Sequence, residues 1–346
     1  GSAASDWQYS LLSGKSDRVP DVFYGRFIAD TEVELQAQMN RSIDYEKSPE
    51  RAAWFHDGMT IASDEGAGPS DKEYALQIQD ALKHYTYKSM DSFFQGEMTA
   101  TSANISTALG NGRSWLAYFG HGSGTSWGSV NDIFNNNTID SLGNNRLPII
   151  IDVACLNASW VNIDRSFGKA WVTHTSAGQN SGAVAFYGGS VSISWHPPAV
   201  MSVGIAKSHF EKAIQNLGGT VVAGQLYLFE KMGPGNDTLD NIKWYNLFGD
   251  PSLLIRTDTP VEYNVKHYID ASADGMTVTV TVTDKSGKGL SGLLASVAVS
   301  NREPLAVGMT DSQGSAVLSL PGIGPLEPSA ILTVTGYNAD TYQAKL

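Results

Sequence analysis

The chain holds one cysteine, Cys155, in 346 residues. No disulfide can form within it, as is ordinary for exported bacterial proteins. The lone thiol is therefore either a small buried hydrophobe or a reactive group. Charge is scarce too. Asp, Glu, Lys and Arg make up 17%, against about 25% in typical globular proteins. The deficit is on the basic side, with 23 Lys and Arg against 35 Asp and Glu, a net charge of −12. Phosphate backbones are held by clustered Lys and Arg, so no nucleic-acid partner is expected. An acidic surface suits a cationic substrate or calcium, and serves solubility equally well. No apolar run approaches the roughly 20 residues that span a bilayer. No leader segment is visible, and the opening GSAAS reads as a processing point or an expression scar.

What is present is a sizeable apolar fraction, 42%, and a length that suggests about two domains. Residues 1–20 are polar and irregular. DVFYGRFI (21–28) reads as a buried strand. Thr31 and Glu34 then form the capping-box pattern T-E-V-E ahead of a helix that runs to about Lys47 and stops before Pro49. MTIAS (59–63), YTYKSM (85–90), RSWLAYFG (113–120), RLPIIIDVAC (146–155) and SGAVAFYGGS (181–190) read as strands. Helices are expected at about 71–84, 102–110, 200–216 and 219–231. Strands alternating with helices indicate an α/β domain with a mostly parallel sheet. Ligand sites of such sheets lie beyond the carboxyl ends of the strands.

Near residue 257 the pattern changes. From Pro260 onward, MTVTVTVT (276–283), LASVAVS (294–300), SAVLSL (315–320) and AILTVTGY (330–337) alternate at period two between turn residues. That is a β-sandwich. The expected domains are thus 1–50, a remnant of an N-terminal subdomain with the leading helix; 51–257, catalytic; and 260–346, the sandwich.

Two strand ends carry complementary chemistry. GHGSGTSWG (120–128) follows WLAYF, and Cys155 follows IIIDVA, 34 residues after His121. That spacing accommodates one crossover helix and a return strand, which sets imidazole and thiol on one rim. A thiol becomes a good nucleophile when a nearby imidazole takes its proton. The glycines let backbone N–H groups approach a substrate carbonyl, so the Gly122 and Cys155 amides are candidates for an oxyanion hole. A phosphate cradle is excluded, because this loop has neither G-K-[ST] nor G-x-G-x-x-G and no clear helix follows it.

YFGHGSGTSWG followed by LPIIIDVACLN resembles the His and Cys motifs of the gingipains, cysteine peptidases with a caspase-like fold. DVFYGRF, TIASDEGAGPSD, SISWHPP, WYNLFGDPSLLIRT and TVTGYNADTY resemble further segments of the same family, in the same order. The likeness covers almost the whole chain, although most of the family's N-terminal subdomain has no counterpart in it.

The resemblance implies a caspase-like α/β sandwich followed by an immunoglobulin-like β-sandwich. It also implies a secreted or surface-located monomeric endopeptidase that cuts proteins or peptides after basic residues, arginine before lysine. Cys155 matches the nucleophile and His121 the general base. Glu65, or Asp64 beside it, matches the acid that orients the imidazole, unless either is simply a solvated loop acid. Asp71 matches the acid of the primary pocket in the arginine-specific members; alternatively it caps the helix that it opens. Trp195 matches the residue covering that pocket, or is a core tryptophan, and His196 is a candidate rim contact. Structural Ca²⁺ is implied as well, with Asp17, Asp21 and the Val19 carbonyl as ligands, where the bland alternative is a solvated loop. A competing class is a catalytically degenerate adhesin module with a peptidase fold. Intact His121, Cys155 and Glu65 speak against it.

Overall fold

Residues Ile149–Val153 are buried on both faces, and each fully buried Ile contributes about 1.5–3 kcal/mol over an exposed one. Such a segment belongs at the centre of a sheet. In the computed structural model, which describes residues 3–14, 16–211, 214–272, 275–299, 303–321 and 329–346, it lies there. The strands are β1 (Asp57–Ala62), β2 (Ser89–Phe94), β3 (Trp115–Phe119), β4 (Ile149–Val153), β5 (Ala185–Gly189) and β6 (Tyr245–Phe248). Their order is β6-β5-β4-β3-β1-β2. All neighbours are parallel except β6, which runs antiparallel to β5. From β1 the chain goes first to β2 on one side and then to β3 on the other. The crevice between β1 and β3 is therefore a topological switch point, where open α/β sheets bind ligands.

Alternate residues face opposite layers. Met59, Ile61, Leu116, Tyr118, Ile150, Phe186 and Phe248 share one core with α3 (Ser102–Asn111) and α4 (Phe167–Thr173). On the other face, α2 (Asp71–Lys83) packs on β1 and β3. Beside it, α5 (His196–Glu211) packs on α2 and β4, and α6 (Leu217–Met232) on α5. The leading helix α1 covers Glu32–Lys47, capped by Thr31 Oγ1, which accepts from Glu34 N–H at 3.2 Å.

Three expectations are corrected. DVFYGRFI forms no strand; it makes a single parallel bridge, Arg26 to Phe248, and Val22 and Phe23 are exposed. The strand expected at 85–90 begins only at Ser89, because Tyr87 turns inward to hydrogen-bond Ser114 Oγ at 2.7 Å. Helix α5 starts at His196, earlier than about residue 200, because Pro197 and Pro198 are accommodated in the first turn, where no N–H is needed.

Two compact units result, Gly1–Ile43 with Ala53–Asp258, and Asp44–Ala52 with Thr259–Leu346. The division thus differs from the one read in the sequence, since residues up to Ile43 belong to the α/β unit. The second unit holds β7 (Asn264–Ser272), β8 (Gly275–Thr283), β9 (Leu294–Val299), β10 (Pro304–Met309), β11 (Ser315–Pro321), β12 (Ala330–Thr335) and β13 (Tyr342–Lys345). These form antiparallel sheets β7-β8-β11 and β10-β9-β12-β13. Val278, Val280, Val282, Val297, Leu318, Leu332 and Val334 fill one core. Four of the seven strands show in the alternation; β7 and β10 carry polar or exposed residues on both faces, and β13 is a four-residue strand whose inner face is only half-buried.

Helix α2 is capped by Ser70, whose hydroxyl accepts from Glu73 N–H, while the Glu73 carboxylate accepts from Ser70 N–H at 2.6 Å. Ser70→Ala is expected to lower stability by about 1 kcal/mol, read as a reduced urea midpoint at unchanged slope.

Candidate active site

The register places the chemistry. Phe119 of β3 is paired with Val153 of β4, so His121 and Cys155 leave adjacent parallel strands two residues later, at the same level. Ala62 of β1 is paired with Phe119, which puts the loop bearing Glu65 beside them. His121 Nε2 meets the two Glu65 carboxylate oxygens at 3.1 and 3.2 Å. With Glu65 accepting from Nε2–H, Nδ1 carries the lone pair that can take a proton. Both side chains are about half exposed, 57% for His121 and 47% for Glu65, so the pair orients the ring and adds little stability. Asp64 lies against Gly96 instead.

Cys155 is half-buried, and its Sγ accepts from Ile193 N–H at 3.4 Å. The loop after β5 wraps the cysteine loop further through Leu156 N–H to Val191 O at 3.0 Å and Ala158 N–H to Gly189 O at 2.9 Å. Leu156 has φ +66°, a left-handed conformation costly for a branched side chain and held here by those bonds.

Gly122 must be glycine. A Cβ there would lie 2.3 Å from the Cys155 carbonyl oxygen. The hairpin bonds Gly128 N–H to His121 O and Ser123 N–H to Ser126 O flank the Gly122–Trp127 bridge, so the hairpin leaves the Gly122 N–H unused.

A cavity of about 30 Å³ joins Asp71, Gly120, His121, Val153, Cys155, Ile193, Ser194 and Trp195. Asp71 is 2% exposed and is the first residue of α2; the cap is Ser70. Its carboxylate accepts from Ser63 Oγ at 2.6 Å. Burial raises its pKa above the ordinary carboxylate value, and the Glu65 charge adds to that, while Ser63, the Trp195 indole and His121 oppose it. Trp195 packs edge-on against His121 at 5.3 Å, and its buried Nε1–H lies by Asp71 without completing a hydrogen bond. His196 does not line this cavity; its Nδ1 shares a 3.3 Å hydrogen bond with Tyr74 Oη.

Asp17 and Asp21 lie beside each other, and both carboxylates are engaged by backbone amides. Asp17 accepts from Val19 and Ser13 N–H, both at 3.1 Å, and Asp21 accepts from Leu12 N–H at 2.7 Å. The Val19 and Ser13 amides, with a smaller contribution from the Asp21 side chain, hold the Asp17 pKa below its ordinary value. Among the described residues no three or more His, Cys, Asp or Glu gather as a metal site.

Several participants escaped sequence reading. Ser63 Oγ both donates to Asp71 and accepts from Glu65 N–H at 3.0 Å. Asp152 and Asn157 are wholly buried. Trp127 Nε1–H donates to Asp152 Oδ1 at 2.6 Å, and Asn157 Nδ2–H donates to Asp152 Oδ2 at 3.2 Å. The signal was present in DVACLN, as an acid inside an otherwise apolar strand and an amide just after it.

The profile of peptidase family C25 matches residues 2–256 of this chain. The chain belongs to that family. Gingipain R2 of Porphyromonas gingivalis is 30% identical over 97% of the chain and 45% of its own length. Gingipain R1 of the same organism is 29% identical over 97% of the chain and 34% of its own length. The chain thus spans less than half the length of these curated relatives. Among solved structures, the Arg-specific cysteine proteinase gingipain R superposes with a TM-score of 0.88 at 28% identity, covering 99% of this chain and 78% of the other. A Porphyromonas gingivalis complex of gingipain pro- and mature domains gives 0.87 at 28% identity, covering 98% and 79%. The central parallel sheet is thus that of a C25 peptidase.

Burial pushes the Asp152 carboxyl up to about 7, against the pull of the Trp127 and Asn157 hydrogen bonds. A carboxyl raised on folding favours the folded state below its unfolded pKa, and that advantage is lost as pH climbs through the folded value. The stability of Asp152→Asn relative to the parent protein is therefore expected to rise between pH 4 and 7. Urea midpoints across that range read it.

Proposed function

We propose that this chain is a cysteine endopeptidase that cleaves after basic residues, arginine before lysine. The observation that carries the reading is one cavity walled by Cys155, His121, Trp195 and the buried acid Asp71. His121 takes the proton of the Cys155 thiol. The thiolate attacks the scissile carbonyl carbon, and the oxyanion that develops is met by the Gly122 and Cys155 N–H groups. The tetrahedral species collapses as the imidazolium protonates the leaving amine. Water, deprotonated by His121, then releases the acyl group and restores the thiol. Glu65 keeps the ring oriented throughout.

Asp71 is assigned to the substrate cation. Its carboxylate suits a guanidinium, whose planar fork can bond it twice, better than a compact ammonium. Trp195 covers that cation, and a flat guanidinium can stack on an indole. His196 is assigned to the outer rim through Tyr74. The three- and four-stranded sheets of the second unit are consistent with an immunoglobulin-like sandwich. A monomer acting on proteins at the cell surface or outside the cell completes the proposal. Calcium at Asp17, Val19 and Asp21 would use the carboxylate lone pairs left over from the backbone N–H bonds. Titration calorimetry with Ca²⁺ decides it, and absent heat removes the metal from the proposal.

Arginyl, lysyl and aspartyl fluorogenic peptides, each with and without iodoacetamide, test the activity. Release from the arginyl peptide, abolished by alkylation, is expected. No turnover by freshly reduced protein together with no labelling of Cys155 refutes the reading and favours a non-catalytic module. Asp71→Asn is expected to raise KM for arginyl peptides by the equivalent of about 2–4 kcal/mol, the scale of a broken buried charge pair. An unchanged KM takes Asp71 out of the pocket.

A further inference from the structure

We propose that Asp152 and Asn157 are positioning residues, which with Trp127 clamp the His121 loop to the Cys155 strand at two points that bracket Cys155 and follow His121. The inference rests on the peptidase reading above for the roles of His121 and Cys155. It rests on its own geometry for the clamp.

The bonds run between two segments only. From the histidine loop, Trp127 Nε1–H reaches Asp152 Oδ1 at 2.6 Å, and Gly124 N–H reaches Asn157 Oδ1 at 3.1 Å. From the cysteine segment, Asn157 Nδ2–H closes the ring onto Asp152 Oδ2 at 3.2 Å. Asp152 lies three residues before Cys155 and Asn157 two after it, while Gly124 and Trp127 lie three and six residues after His121. Each reacting residue is thus tied by a short stretch of backbone to a fixed polar contact. Trp127, Asp152 and Asn157 are at most 1% exposed, so the bonds are shielded from water.

Packing alone does not call for this carboxylate. The same sheet face carries Ile150, Tyr118 and Phe186, and Trp127 stacks on Tyr118 at 4.9 Å amid Phe134, Phe167 and Trp171. A leucine at 152 would suit that surface. Burying a carboxyl there costs stability, and what it secures is a unique relative placement of two loops. The close approach of Gly122 to the Cys155 carbonyl leaves no slack for a loop that drifts. A misplacement of about 1 Å at a catalytic pair can cost around 100-fold in rate.

Trp127→Phe removes the donor and keeps an aromatic ring; Asp152→Asn keeps an acceptor for the indole; Asp152→Leu keeps neither. The pH profile of Cys155 alkylation by iodoacetamide reads the thiol–imidazole pairing without any substrate. In Trp127→Phe and Asp152→Leu the alkylation midpoint is expected to move up by about one pH unit. Their kcat on an arginyl peptide is expected to fall roughly 10- to 100-fold with KM within about twofold. Asp152→Asn is expected to lie between these variants and the parent protein. Lowered Tm with unmoved alkylation profiles and unchanged kcat in variants that fold overturns the proposal. If the parent protein cleaves none of the peptides yet the midpoints still shift, the peptidase reading fails and the clamp stands. If it cleaves and the midpoints do not shift, the clamp fails alone. Should Asp152→Leu not fold, Trp127→Phe decides by the same criteria.

Discussion

Everything at the candidate site depends on the pairing of two parallel strands in one register, Phe119 opposite Val153. A slip of one residue would turn every side chain on one strand to the opposite face. It would also offset His121 from Cys155 along the strand axis by about 3.3 Å. The register is enforced from both faces at once, because Leu116, Tyr118 and Ile150 must enter one core while Ala117, Phe119, Ile151 and Val153 meet the helices opposite. Hydrophobic burial, which has no directionality of its own, is converted by the period-two backbone into a fixed juxtaposition of imidazole and thiol.

Long apolar or strictly alternating segments were legible in the sequence for a physical reason: burial on a regular backbone writes a period into residue choice. The central strands, the parallel sheet and the alternating strands of the second unit came from that. The His121 and Cys155 strand ends followed, since loops at carboxyl ends are fixed by topology. What stayed hidden lacks a period. DVFYGRFI has strand-forming residues but only one bridge to make. The start of α5 at His196 was masked by two prolines, which break helices elsewhere and are welcome in a first turn. Edge strands such as Tyr342–Lys345 are short and bury one face only in part, which leaves too little pattern to announce them.

The site itself was legible in part. The residue types of the thiol–imidazole pair are visible in the chain, and Glu65 and Asp71 were reached only through likeness to the gingipains. Ser63, Asn157 and the Ile193 amide act through contacts made across long separations, and no local pattern marks them. Trp127 reads as packing from its neighbours in sequence. In space it also donates to a buried carboxylate, a role that depends on Asp152 facing it from the neighbouring strand.

Ser63 sits at the end of β1 with one hydroxyl and two obligations. It donates to Asp71, the acid assigned to the substrate cation, and it accepts from the amide of Glu65, the acid that grips the imidazole. Ser63 engages a single Asp71 oxygen, Oδ2, and so fixes the carboxylate's orientation while leaving Oδ1 to other donors. The same hydroxyl anchors the backbone from which Glu65 reaches His121. One side chain is thus the common datum from which both acids are measured, so the distance between them is set by a single O–H rather than by two independent loops.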